Sequence, residues 1–223
     1  TDSNGRGGFR YEPPSGFLSW CTANMRDADY APIGPTSVDG TPDQHFDTVL
    51  WRGDTISPRH IGGLNFQPDL VWMKPRTSGT NHNCRFDSVR GVNKRIVSNS
   101  NGAEDTQAMC HSFDPDGFTV GDDRNSADDH VAWCWKAGNG TVPNTDGTHQ
   151  TTVSVNKDAG FSISTYTGDV SGTSVQETIG HGLDKTPEFV IVKDLTNTTN
   201  WRVYHKGLAA GGATATANTL YLN

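Results

Sequence analysis

Long apolar runs are missing from this chain of 223 residues. No stretch approaches the ~20 consecutive apolar residues that a membrane-spanning helix needs. Glutamate is scarce as well: Glu12, Glu104, Glu177 and Glu188 are the only four among 25 acidic residues. Aspartate favours turns and caps where glutamate favours helices, so this bias leans away from helix. Nowhere do apolar residues recur at helical spacing over three turns. The best helical candidate, 208–217, contains Gly211-Gly212 and reads as a loop. Basic residues are outnumbered, 18 to 25, which leaves a net charge of −7. Phosphate contacts would work against that field, so nucleic acid is not expected as a partner, and neither is membrane insertion.

Paired cysteine motifs are absent too. Cys21, Cys84, Cys110 and Cys134 form no Cys-x-x-Cys, which leaves a zinc ribbon or thioredoxin-type site without support. Two disulfides could form in an oxidising compartment, but buried free thiols are the favoured reading, because free cysteine is among the most buried residue types. The polar, glycine-rich opening Thr1-Asp-Ser-Asn-Gly-Arg-Gly-Gly8 is no signal peptide and carries no start Met. A processed chain or a fragment of something longer is expected.

What the chain does have is aromatic bulk (6 Trp, 9 Phe and 5 Tyr) and strand periodicity. Phe161-Ser-Ile-Ser164 and Val153-Ser-Val-Asn156 alternate apolar and polar side chains. Leu70-Val-Trp-Met73 and Phe189-Val-Ile-Val192 are apolar on both faces and read as central strands covered on each side. Pro68 and Pro187 stand just ahead of them, where proline is tolerated. Val131-Ala-Trp-Cys-Trp135 is a further strand. Turn signals lie at Gly53-Asp54, Asp114-Pro-Asp-Gly117, Gly121-Asp-Asp123, Asn139-Gly140 and Gly168-Asp169. Short strands with dense turns predict an all-β chain of antiparallel sandwiches, concanavalin- or jelly-roll-like.

An internal repeat is the most specific signal. Gly63-Leu64-Asn-Phe-Gln-Pro68-Asp69-Leu-Val-Trp-Met-Lys74 matches Gly182-Leu183-Asp-Lys-Thr-Pro187-Glu188-Phe-Val-Ile-Val-Lys193 at an offset of 119. Upstream, 46–54 parallels 161–169; downstream, Phe86–Gly91 parallels Arg202–Gly207. The first copy continues through Arg95-Ile-Val97, Ser112–Val120 and the tryptophan strand, whereas the second reaches only Thr219–Asn223, matching the Ile96 region. The domain reading is therefore 1–45 as the end of a preceding sandwich plus connector, 46–137 as a complete repeat, 138–152 as a polar linker and 153–223 as an incomplete second repeat. An incomplete sheet exposes an unpaired edge. Either a second chain pairs with it or the chain in hand stops before the domain does, the latter being favoured.

Several strings carry a family resemblance: Phe-Asp-Thr-Val-Leu at 46–50, 63–72, Phe-Asp-Ser-Val-Arg-Gly at 86–91, Asp-Gly-Phe-Thr-Val-Gly at 116–121 and Val-Ala-Trp-Cys-Trp-Lys-Ala-Gly at 131–138. With 161–168, 179–183 and 201–206, they resemble a repeated β-domain of virion structural and tail proteins in marine tailed bacteriophages. In that family a segment like Tyr11–Phe17 follows a SPRY or concanavalin-like sandwich. The resemblance implies a virion protein, a tail fibre, appendage or capsid-attached fibre, assembled in the host cytoplasm and exposed outside the cell. It further implies other virion proteins as partners, a homo-oligomer, a host-surface glycan as ligand, and no enzyme activity or cofactor. The family supplies no catalytic residues to carry over.

Residue patterns for chemistry are weak. Asp114-Pro-Asp116-Gly117 with Asp122-Asp123 hints at a calcium loop, but the twelfth position from Asp114 is Asn125 rather than Glu, and a turn between strands explains the same residues. The glutamates are too scattered for a glycosidase pair. No Gly-x-Ser-x-Gly elbow exists, and His181 sits in a Gly-His-Gly turn where a surface role outweighs that of a base. No catalytic, cofactor-binding, metal-binding or ligand-binding residue is assigned. Of the tryptophans that could stack on sugar rings, Trp72, Trp133 and Trp135 are expected in the core, with Trp51 and Trp201 evenly balanced. The competing classes are a secreted bacterial lectin or adhesin, which two disulfides would favour, and a polysaccharide-degrading enzyme.

Overall fold

A computed structural model describes residues 41–79, 81–168, 177–209 and 220–223. These lie in the compact unit Gly34–Asn223. The expectations for the segment around Tyr11–Phe17, for Cys21, for the Asp169 turn position and for most of 208–217 fall outside the described residues. Of that last candidate, Leu208 and Ala209 end a short 3-10 helix, Lys206–Ala209.

The chain is all-β. Its first copy is a two-layer sandwich of nine strands: β1 (Phe46–Arg52), β2 (Arg59–Gly62), β3 (Leu70–Pro75), β4 (Cys84–Asp87), β5 (Lys94–Val97), β6 (Asp105–Thr106), β7 (Cys110–Asp114), β8 (Gly117–Val120) and β9 (Asp129–Trp135). One sheet runs β1-β9-β3-β4-β5-β6 and the other β2-β8-β7, with every ladder antiparallel. Strand alternation decides which side chains meet. Along β1, Asp47, Val49 and Trp51 turn inward, while Phe46, Thr48, Leu50 and Arg52 stay exposed. The inward faces of both sheets supply one core: Trp51, Val71, Met73, Cys84, Phe86, Ala132 and Cys134 from the larger, Ile61, Cys110, Phe118 and Val120 from the smaller. A large apolar side chain buried this way contributes roughly 1.5–3 kcal/mol, so the first copy has a core of its own. The Asp114-Pro-Asp-Gly117 turn joins β7 to β8 as the sequence predicts. Its glycine is dictated by closeness, since a Cβ at Gly117 would lie 2.0 Å from the Ile61 carbonyl oxygen of β2.

The second copy holds β10 (Val142–Asn144), β11 (Thr151–Asn156), β12 (Phe161–Tyr166), β13 (Phe189–Val192), β14 (Arg202–His205) and β15 (Leu220–Tyr221), in two three-stranded sheets, β10-β11-β12 and β13-β14-β15. The hairpin series β3-β4-β5 recurs as β13-β14-β15. Leu70 pairs with Asp87 and Phe189 with His205; Arg85 pairs with Ile96 and Val203 with Leu220. Even a loop bond repeats: Ser88 N–H donates to Asp69 O, and Lys206 N–H donates to Glu188 O, each at 2.8 Å.

Three expectations need correction. Phe86 matches Tyr204 in the ladders rather than Arg202, a two-residue shift that sequence pattern could not detect because it leaves every side chain on the same face. The linker 138–152 contains β10 and the start of β11; with Val142 exposed, β10 buries nothing and so leaves no hydrophobic signature. Phe189–Val192 is not covered on both sides as its twin Leu70–Met73 is: Phe189 and Val192 are exposed, because β9 and the β2-β8-β7 layer have no counterpart among the described residues of the second copy.

Candidate functional site

The outer face of the six-stranded sheet gathers the side chains best suited to contact something else. Strand register lines up Thr48, Trp133, Trp72, Arg85 and Ile96 in one row across β1, β9, β3, β4 and β5. Phe46, Trp135, Leu70 and Asp87 form the next row. Trp72 and Trp133 meet edge to face, with centroids 6.1 Å apart. Trp135 takes Phe46 at 4.9 Å and, from the second copy, Phe161 at 6.2 Å.

Arg85 is the centre of this face. Its guanidinium carbon lies 4.7 Å from the Trp72 ring centroid and 4.9 Å from that of Trp201, so two indoles from different copies clasp one cation. Burial pulls the guanidinium down to about 10, against the favourable charge of Asp87 and with Arg90 adding to the fall. It therefore stays charged at neutral pH. Among the described residues Nε and Nη1 of Arg85 and Nε1 of Trp72 have no hydrogen-bond partner. Cation–π attraction, about 2 kcal/mol or more when desolvated, is what compensates the buried charge. Trp201 is held in turn by its Nε1–H, which donates to Val97 O (2.9 Å) and Ser100 O (3.0 Å).

Further bonds tie the second copy to the first and to the linker that leaves it. Glu104 N–H donates to Leu195 O at 2.8 Å and Gly138 N–H to Ser154 Oγ at 2.9 Å. Beneath them, Asp69, the acid of the repeat motif, is wholly buried. Its carboxylate accepts Ser88 Oγ–H (2.5 Å), Ala137 N–H (2.7 Å) and Asn139 N–H (3.1 Å), which pins the chain as it leaves β9. Nearby, Arg90 pairs with Asp87 (2.6 Å) and Glu104 (2.9 Å).

A family model described as a domain of unknown function, DUF7483, matches residues 41–223. The chain belongs to the DUF7483 family. No curated protein and no solved structure matches it. The DUF7483 match opens just before β1 and takes in both copies.

Within this DUF7483 chain the other sequence candidates are placed as follows. Asp114 and Asp116 of the calcium-loop candidate turn their carboxylates to His60, at 3.0 and 3.2 Å. Burial opposes ionisation of Asp114, but hydrogen bonds from Ser112, Thr119 and His60 outweigh it and hold the carboxyl below its ordinary range. Among the described residues no group of three or more His, Cys, Asp or Glu side chains is placed to hold a metal ion. Glu104, Glu177 and Glu188 lie apart, paired with Arg90, His149 and Lys206 respectively. His181 accepts the Leu183 N–H through Nδ1 (3.1 Å), a bond that shapes its turn. Cys84, Cys110 and Cys134 are buried free thiols, the favoured reading, so the two-disulfide arrangement does not form.

The tryptophans reverse the expectation. Trp51 and Trp201, the evenly balanced pair, are buried, and Trp72, Trp133 and Trp135 are half-buried on the outer face. Alternation puts Trp133 and Trp135 on the opposite face from Ala132 and Cys134, and the core takes the small side chains because Met73 and Phe86 already fill it. Arg85 was missed altogether: one arginine in a strand carries no motif, and its partner Trp201 lies more than a hundred positions away.

Proposed function

We propose that the chain is a structural protein of a tailed-bacteriophage particle, a tail fibre, appendage or capsid-attached fibre, that scaffolds without catalysis and presents an aromatic face to host-surface glycan. The observation that carries the scaffolding part is the Trp72–Arg85–Trp201 clasp, which ties two β-repeats into one continuous body. Such bodies act through repeated association, as symmetric homo-oligomers or on other virion proteins. Half-buried Trp133, set edge to face with Trp72, offers an indole to the C–H faces of sugars, and arrayed copies turn weak single contacts into avidity. The virion assignment itself leans on the resemblance of strings such as 63–72 and 131–138. The secreted-lectin alternative would call for two disulfides, whereas Cys84, Cys110 and Cys134 are free thiols.

Gold-labelled antibody raised against the chain should decorate intact purified particles, at the tail or on the capsid. Label confined to the soluble fraction of the lysate would refute a virion location. On immobilised host glycans, a multivalent display of the chain should bind, and Trp133→Ala should weaken binding at least tenfold while the urea midpoint falls only by what the lost contact with Trp72 is worth, about 1 kcal/mol. Equal binding by that variant would remove the glycan role from this face.

A further inference from the structure

The aromatic face of the large sheet carries a charge that the chain as a whole does not share. Register and strand alternation put four cations on it, Arg52, Lys74, Arg85 and Lys94, against two carboxylates, Asp87 and Asp129. Both carboxylates are already engaged. Asp129 accepts from Arg52 (3.2 Å) and Asp87 from Arg90 (2.6 Å). Lys94 lies 3.8 Å from Glu104, which also holds Arg90. Two cations are left over, Arg85 and Lys74. The net charge of the chain is −7, so a positive face is a local departure from the rest of the surface.

The two act differently. Arg85 is buried between the Trp72 and Trp201 rings, with Nε and Nη1 unpartnered among the described residues. Water and salt cannot screen a charge so enclosed, and its field reaches outward past Trp72 toward Trp133. Lys74 is half-buried on the outer face and has no ion pair or hydrogen bond from its ammonium among the described residues. It stands opposite Val131 in the ladder, and Trp72 stands opposite Trp133. Lys74 and Trp133 are therefore diagonal neighbours, about 7–8 Å apart along the backbone, a gap that a lysine arm spans.

We infer that the glycan taken by this face is an anionic one, with Lys74 as the residue that selects it. A pyranose stacked on Trp133 presents the carboxylate or sulfate at its ring edge to the Lys74 ammonium, within the field of Arg85. The inference rests on the glycan reading above and adds the sign of the ligand's charge to it. Carboxylate and sulfate share the chemistry that an ammonium recognises, a negative oxygen group facing a point charge, and Lys74 has no planar fork with which to tell them apart. The net negative remainder of the chain repels polyanions, so charge selects the face as well as the ligand.

The test sets a multivalent display of the full chain over four immobilised polymers: polygalacturonate, the same polymer with its carboxylates reduced to alcohols, dextran sulfate and dextran. At least one acidic polymer should bind tenfold or more tighter than its neutral counterpart, and the pair that shows the excess names the group. The excess should shrink at least fivefold in 0.5 M sodium chloride, where the screening length is about 4 Å. Lys74→Gln should lose the excess and keep the neutral binding, whereas Lys74→Arg should keep both. Trp133→Ala should weaken acidic and neutral polymers alike. Equal binding of acidic and neutral polymers overturns the inference and leaves the glycan reading standing. An acidic preference that survives Lys74→Gln overturns it too, since the anion is then held elsewhere. Binding to none of the four while host glycans are bound has the same effect. Failure on the host glycans as well removes both readings together.

Discussion

Removing the Trp201 side chain should detach the second copy's hairpin sheet and leave the first copy standing. Trp201 is almost wholly buried, although its own strand neighbours Phe189, Leu220 and Tyr221 are exposed. Its burial therefore comes from the first copy. Trp→Ala at a buried site costs about 3–5 kcal/mol. Of this, the shared Nε1–H bond to Val97 O and Ser100 O accounts for about 1 kcal/mol, and the cation–π contact to desolvated Arg85 for about 2 kcal/mol. Packing of the indole supplies the remainder. The loss falls on the contact between copies, while the core around Met73, Phe86 and Phe118 keeps all of its members. Urea unfolding followed by tryptophan fluorescence and by far-ultraviolet circular dichroism should split into two transitions in Trp201→Ala, an early one for β13-β14-β15 and one near the wild-type midpoint. In a double-mutant cycle, Arg85→Met and Trp201→Phe should couple by about 1–2 kcal/mol. A single transition displaced as a whole, or a coupling below about 0.3 kcal/mol, would refute the clasp as the tie between the copies.

Acid should destabilise the chain through His130, well above the carboxylate range. The imidazole is buried flat on Trp51 (5.0 Å) and donates from Nε2 to Ser126 O (3.1 Å). Burial holds its pKa below the ordinary value, opposed by the Ser126 bond; Arg124 adds to the fall, and Asp128 and Asp129 resist it. With the folded value below the unfolded one of about 6.5, stability is full above that pH and falls as pH drops through the folded value. His130→Phe should flatten the urea midpoint between pH 7 and 5, and an unchanged slope would exclude His130; His45, lowered by burial in the same sense, leaves some of the slope in place. Burial pushes Cys110 up to about 12 and raises Cys84 and Cys134, so at most one of the four thiols should react with Ellman's reagent before urea is added. Two fast thiols in the native chain would contradict the buried placement. Asp69→Ala leaves Ala137 N–H and Asn139 N–H without their acceptor and should cost about 2–4 kcal/mol, read as a lowered melting temperature.

Legibility in the sequence followed the kind of force involved. Alternation and turn chemistry are local, and they identified β3, β9, β11, β12 and β13, together with the hairpin turn at Asp114–Gly117. The repeat extended this to tertiary structure, since equal motifs folded into equal hairpins. What stayed hidden was non-local. Phe189–Val192 has the composition of a covered strand, but cover is a property of other strands, and no residue within the segment reports whether they are there. Trp133 and Trp201 carry the same side chain, and only the register of β9 and the reach of Arg85 decide that the first looks outward and the second is enclosed. The polar strand β10 buries nothing, so no hydrophobic signal marked it.

The clasp between the copies has a direction. At the place in the first copy that answers to Trp201 stands Asn83, and the places that answer to Trp72 and Arg85 are held in the second by Ile191 and Val203. The first copy can thus receive an indole but has none to give, and the second gives one but offers no cation to receive another. A head-to-tail contact that repeated would build an open filament. This one terminates after a single step, so any longer polymer of these units has to be joined by chemistry other than the lock that makes the pair.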